Sequence, residues 1–187
     1  MPRKTSSALV MFLASISGFV ASFLLTIDKI KLLKDSQFVP SCNISETLNC
    51  KSVMLSEQAE VFGFPNSLIG IGAFAIFIAL SVALLAGTRF PVWFWQVALV
   101  GTGTAVIFCH WLAYQTTFVI GALCPYCMVA WGGTLLIFSS IIQEILRPMI
   151  EGVTEKSEAT SRINQLMPIF HILWVAMLIG SAFIGVN

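Results

Sequence analysis

The chain reads as an all-α, polytopic membrane protein, and three observations predict this. Of its 187 residues, 57% are hydrophobic and 10% charged, with a mean hydropathy of +0.90; soluble domains carry roughly a quarter charged residues. The apolar residues fall into five stretches, each long enough to cross a hydrocarbon core of roughly 30 Å. Polar residues gather in short segments between them. A net charge of +1, with no basic run and no phosphate-cradling glycine loop, argues against a nucleic-acid partner.

The elements follow in order. Met1–Ser6 is a polar start carrying Arg3 and Lys4, and Ser7–Ile27 is the first span. Its apolar run is too long for a cleavable signal peptide and lacks a small-residue cleavage site. Asp28–Pro65 is the one sizeable polar segment, and it holds Cys42 and Cys50. Within it, residues 52–67 mix apolar and polar positions at near-helical spacing, which suits a short amphipathic lid on the membrane. Phe62-Gly63-Phe64-Pro65 turns that lid into the second span, Asn66–Ala86. Asn66 either caps that helix or aims its side-chain amide at a ligand held beneath the lid.

Gly87-Thr88-Arg89 and Pro91 close the second span, and Trp93 and Trp95 open the third, Val92–Trp111, as interfacial aromatics. Leu112–Leu123 is almost uncharged and reads as an interfacial connection. Cys124–Leu146 is the fourth span, Glu151–Gln165 a charged linker, and Leu166–Val186 a fifth span. Gly70, Gly72, Gly101, Gly103, Gly132 and Gly133 would let neighbouring helices approach closely. The expected organisation is a core of residues 1–146 with an outer cysteine loop at 28–65, a cytoplasmic linker at 147–165, and a fifth helix within 166–187.

Orientation follows from the lysines and arginines. Arg3, Lys4, Arg89, Arg147, Lys156 and Arg162 gather on one side; Lys29, Lys31, Lys34 and Lys51 gather on the other, offset by five carboxylates. Six against four puts the N-terminus in the cytoplasm and the cysteine loop outside, where disulfides persist.

The chemistry lies in the cysteines. Cys124-Pro125-Tyr126-Cys127 places two thiols at the first turn of an apolar helix. That spacing can close and reopen a local disulfide, and a helix N-terminus favours the reactive thiolate. Cys42 and Cys50, with seven residues between them in a polar and mobile loop, form a second pair at the same face. Thiol–disulfide exchange can then pass between the pairs. A static Cys42–Cys50 bridge and a four-thiolate zinc site are the alternatives. Cys109 reads as a small buried hydrophobe, and His110 and His171 as packing residues. Two rival functions stay open, a thiol-gated transporter and a thiolate metal-binding membrane protein.

Taken together, Cys42 and Cys50 in the loop, Ser56, Phe62-Gly63-Phe64-Pro65-Asn66, and Cys124-Pro125-Tyr126-Cys127 opening the fourth helix resemble the vitamin K epoxide reductase family in its bacterial branch, from about Ser7 to Leu146. The resemblance implies a four-helix bundle around a quinone (menaquinone, vitamin K or ubiquinone), in a multi-pass inner-membrane protein that commonly carries a fifth helix. It implies Cys127 as the thiol facing the quinone, Cys124 as its disulfide partner, Cys50 as the loop cysteine that exchanges with Cys124, and Cys42 as the one that meets an external thiol. Asn66 would donate to a quinone oxygen, with Ser56, Phe62 and Trp131 also at the quinone site and no metal required. Trp131 stands where vertebrate members have a tyrosine. An indole N–H donates but does not reproduce phenol geometry, so quinone reduction is the expected activity rather than epoxide reduction. The chain ends at Asn187, so the implied DsbA-type thioredoxin-fold partner is expected to be a separate protein.

Overall fold

The computed structural model describes residues 2–151, together with Ile169, Leu173, Ala176 and Gly180. The elements are α1 (Pro2–Lys34), α2 (Cys50–Met54), a 3-10 turn (Glu57–Glu60), α3 (Asn66–Leu85), α4 (Val92–Gln115) with a π-turn (Thr116–Ile120), and α5 (Pro125–Glu151). Ser7–Lys34, Asn66–Leu85, Val92–Ile120 and Pro125–Leu146 are each long and apolar enough to cross a membrane. Lipid offers backbone amides no partner, and a helix satisfies them within the segment. The chain is therefore a multi-pass helical membrane protein. Of the expected fifth span, only the four isolated positions are described, and their backbone is helical; its remainder and residues 152–165 of the linker lie outside the described residues.

Several boundaries differ from the sequence reading: α1 starts at Pro2 rather than Ser7, and α5 runs on to Glu151, taking in residues 147–151 of the expected linker. α1 continues seven residues beyond Ile27, to Lys34, because Asp28 and Lys29 are both buried against the structure above the bundle. The third span does not end at Trp111: α4 and its π-turn carry the helix to Ile120, so much of the supposed interfacial connection is helical. α5 begins at Pro125, leaving Cys124 just before the first turn. Proline suits that first helical position, where its missing N–H costs nothing.

α1 packs on α3 and α5, and α5 also packs on α4. Gly70 and Gly133 sit at close helix approaches. A Cβ on Gly133 would stand 2.9 Å from the Ala14 carbonyl oxygen, and one on Gly70 would stand 2.4 Å from Ser22 Oγ. Among the described residues, Gly72, Gly101 and Gly132 meet nothing within 4 Å. Trp93 is exposed as an interfacial aromatic should be, but Trp95 is buried and packs on Phe90 and Phe94. Residues two apart on a helix point some 200° apart, so the two indoles cannot share the lipid face.

The core has two layers. Met11, Ala14, Phe74, Leu80, Trp95, Ile137 and Ile141 pack within the bundle. Leu25, Leu32, Val53, Met54 and Ala122 form a second layer at one end, and Cys42, Cys50 and Cys124 lie inside it.

Candidate redox site

The cysteine segments come together because α1 ends and α5 begins at the same end of the bundle, and backbone pairing then fixes their register. Gly121 closes the π-turn with φ of 70°, a left-handed geometry that glycine adopts without penalty. The chain then runs alongside the cysteine loop: Leu123 N donates to Thr47 O at 2.7 Å, and Asn49 N donates to Leu123 O at 2.9 Å. This parallel bridge between Leu48 and Leu123 delivers Cys50 and Cys124 side by side. Asn49 Oδ1 accepts from Ser52 N and so caps α2, the helix that starts at Cys50. Asn43 Oδ1 accepts from Lys51 N at 3.0 Å.

Cys42 and Cys50 are joined in a disulfide. Cys124 Sγ lies 3.3 Å from Cys50 Sγ, and the backbone N–H of Cys127 donates to Cys124 Sγ at 3.4 Å. A hydrogen bond from the Cys127 thiol, aided by the amides of Tyr126 and Cys127, holds Cys124 below the usual thiol range despite its burial. Such a thiolate is the attacking species in disulfide exchange. Its attack on Cys50 would form a Cys50–Cys124 bond and release the Cys42 thiolate.

The cysteine loop, expected to be mobile, packs against the start of α5. Cys42 is 3% exposed and Cys50 fully buried, because the disulfide, the Leu48–Leu123 bridge and the two asparagines hold the segment against α5.

Below the thiols lie two adjoining apolar chambers. The smaller, about 80 Å³, is roofed by the Glu57–Glu60 turn and lined by Lys29, Ser56, Gln58, Asn66, Cys127 and Trp131, among others. The larger, about 440 Å³, runs down between α1, α3, α4 and α5 past Phe74, Thr102, Phe108 and Cys109. Asn66, Cys127 and Trp131 line both.

Asn66 does not cap α3. Its Nδ2 donates to Gln58 O at 2.7 Å, while its Oδ1 is buried and finds no hydrogen-bond partner among the described residues. An unmet buried acceptor is costly, and a hydroxyl-bearing ligand would satisfy it. The second Nδ2 proton can serve a carbonyl. An apolar cavity with an unmet amide beside a thiol thus fits a quinone and its reduced diol. Ser56 lines the smaller chamber, but its hydroxyl donates to Val53 O. Phe62 lines neither chamber; its exposed ring packs at a tilt against Phe108, which does line the larger one.

Several polar residues of the site are not singled out by the sequence, Lys29 among them. Lys29 was counted there as a loop charge, whereas it is a buried side chain of α1 lining the smaller chamber. Its spacing from the apolar residues of the first span, continued one turn further, is the signal that would have found it.

A helical membrane bundle that holds one disulfide against a Cys-x-x-Cys pair at one end is, by class, a membrane thiol oxidoreductase. The chain belongs to the vitamin K epoxide reductase family, whose family model matches residues 9–142, well over half its length. No individual curated protein matches the chain.

Proposed function

We propose that the chain takes two electrons from a reduced thioredoxin-fold protein of the DsbA type and passes them to a membrane quinone, so that disulfides can form in exported proteins. The observation that carries this reading is the 3.3 Å between Cys50 and Cys124, with Cys127 of the same Cys-x-x-Cys pair lining the cavity. Each transfer is thiol–disulfide exchange. A partner thiolate attacks Cys42, and its second thiol resolves the mixed disulfide, leaving Cys42 and Cys50 reduced. Cys50 then attacks Cys124 of a Cys124–Cys127 disulfide, and Cys42 resolves Cys50, which frees the Cys124 and Cys127 thiols.

A bound quinone supplies the two-electron, two-proton sink. Cys127 faces it, Asn66 holds an oxygen of its ring, Trp131 walls the site, and Ser56 closes its edge below α2; Phe62 supports the wall through Phe108. Even a strongly oxidising dithiol near about −120 mV lies below a typical respiratory quinone, so electrons run downhill. In this reading the charge count places the cysteine end on the outer face of an inner membrane and the N-terminus in the cytoplasm.

The test is anaerobic turnover of reduced DsbA-type protein with menaquinone, followed by quinone absorbance. Cys127→Ala is expected to retain disulfide exchange with the partner and to lose quinone reduction. Unchanged quinone turnover by that variant would refute the role given to Cys127.

A second reading rests on the sulfurs of Cys42, Cys50 and Cys124, which lie within 4.8 Å of one another. Once reduced, they offer a thiolate cluster of the kind that binds zinc. Stoichiometric zinc in the reduced, purified protein, together with no quinone reduction, would favour that reading.

A further inference from the structure

Lys29 is 7% exposed, and a lysine is rarely so buried unless it is paired. Its Nζ donates to Met54 O at 2.7 Å and pairs with Glu60 Oε1 at 2.8 Å. An ammonium has three protons; among the described residues two find acceptors, and the side chain lines the chamber it shares with Cys127 and Asn66. Both polar walls of that chamber are tied to the same roof, Lys29 through Glu60 and Asn66 through Gln58 O.

We propose that Lys29 is the cation of this chamber, acting on the oxygen of the electron acceptor that gains charge, with Glu60 as its resting counter-charge. The proposal rests on the quinone reading above. Oxidation of the thiol pair forms the Cys124–Cys127 bond and releases two electrons and two protons; the quinone takes up both to become the diol, and Lys29 is not consumed. Until both protons arrive, negative charge builds on an oxygen in an otherwise apolar cavity. Uncompensated charge there is costly, and a fixed cation lowers that cost where it develops. Glu60, 38% exposed at its side chain, can turn to water when the acceptor competes for the ammonium. A residue that only clamped the roof would make the same two contacts but would not distinguish a charged ligand from a neutral one.

Binding without turnover separates the two roles. In the Cys127→Ser protein, quenching of tryptophan fluorescence is measured with two probes of one ring system: neutral methyl-naphthoquinone, and a hydroxy-naphthoquinone whose ring hydroxyl is ionised at neutral pH. Lys29→Met is expected to weaken the anionic probe about tenfold while changing the neutral one less than about twofold, the size of one lost charge-assisted hydrogen bond. Lys29→Arg should restore the preference. Glu60→Gln, which keeps the lysine and removes its counter-charge, should bind the anionic probe more tightly, and it carries the test if Lys29→Met does not fold. Equal weakening of both probes by Lys29→Met, or an unchanged preference in Glu60→Gln, would overturn the proposal. A parent protein that binds neither probe would overturn the quinone reading, and this one with it.

Discussion

At the scale of single residues, the central feature is an asymmetry between two neighbouring thiols. Cys124 receives hydrogen bonds from the Cys127 thiol and from the amides at the start of α5, whereas Cys127 lines the apolar cavity. The first is thereby suited to attack a disulfide and the second to meet a lipid-soluble acceptor. Because the Cys124 pKa is lowered, its thiolate is present at pH values below about 8.5, where an ordinary thiol is protonated, and is lost only as pH falls through its own lower value. The rate at which Cys124 displaces Cys42 from the loop disulfide, read by alkylation of the released Cys42, should therefore fall off at a lower pH than the rate of an ordinary thiol does. In Cys127→Ala, which removes the main donor, the whole profile should move to higher pH; an unmoved profile would contradict this account of the shift. The cysteines and Asn66 were legible in the sequence because thiols and amides in apolar surroundings are conspicuous. Lys29 was not, since a lysine beside two others and an aspartate reads as a solvated loop, and only the continuation of α1 through Asp28 buries it.

At the scale of elements, close helix contact and backbone pairing position these side chains. Gly133 faces the Ala14 carbonyl oxygen across the α1–α5 contact, while its neighbour Gly132 meets nothing among the described residues. Gly133→Ala is expected to lower stability by about 1–3 kcal/mol, because a backbone oxygen cannot give way as a flexible side chain can. Gly132→Ala should leave stability unchanged or raise it slightly, alanine being the better helix former. Thermal unfolding in detergent followed by circular dichroism distinguishes them, and equal effects would contradict the assigned contact. Hydropathy located all four described spans, yet it could not separate these two glycines, because sequence alone does not say which side of α5 meets α1. Nor could it reveal the Leu48–Leu123 bridge, a non-local pairing between two short segments with no strand periodicity. That pairing, rather than any property of the loop itself, turns a polar stretch into a buried redox element.

At the scale of the whole molecule, the alternating directions of four spans bring the end of α1, the turn before α3, the end of α4 and the start of α5 to one end. The two cysteine segments therefore share a face. Span counting from hydropathy anticipated this arrangement, since two spans intervene between Cys50 and Cys124 and an even number returns the chain to the same side. The cavity was not legible in the same way, because its volume arises where four helices fail to fill the space between Phe74, Phe108 and Trp131. The account depends on electrons crossing from the loop pair to the membrane pair through one sulfur–sulfur contact. It is tested most directly in the Cys42→Ser/Cys127→Ser protein, which keeps one thiol of each pair. Mild oxidation followed by peptide mass spectrometry should find Cys50 and Cys124 joined in near-complete yield within a single chain, whereas both thiols remaining free to alkylate would contradict the relay.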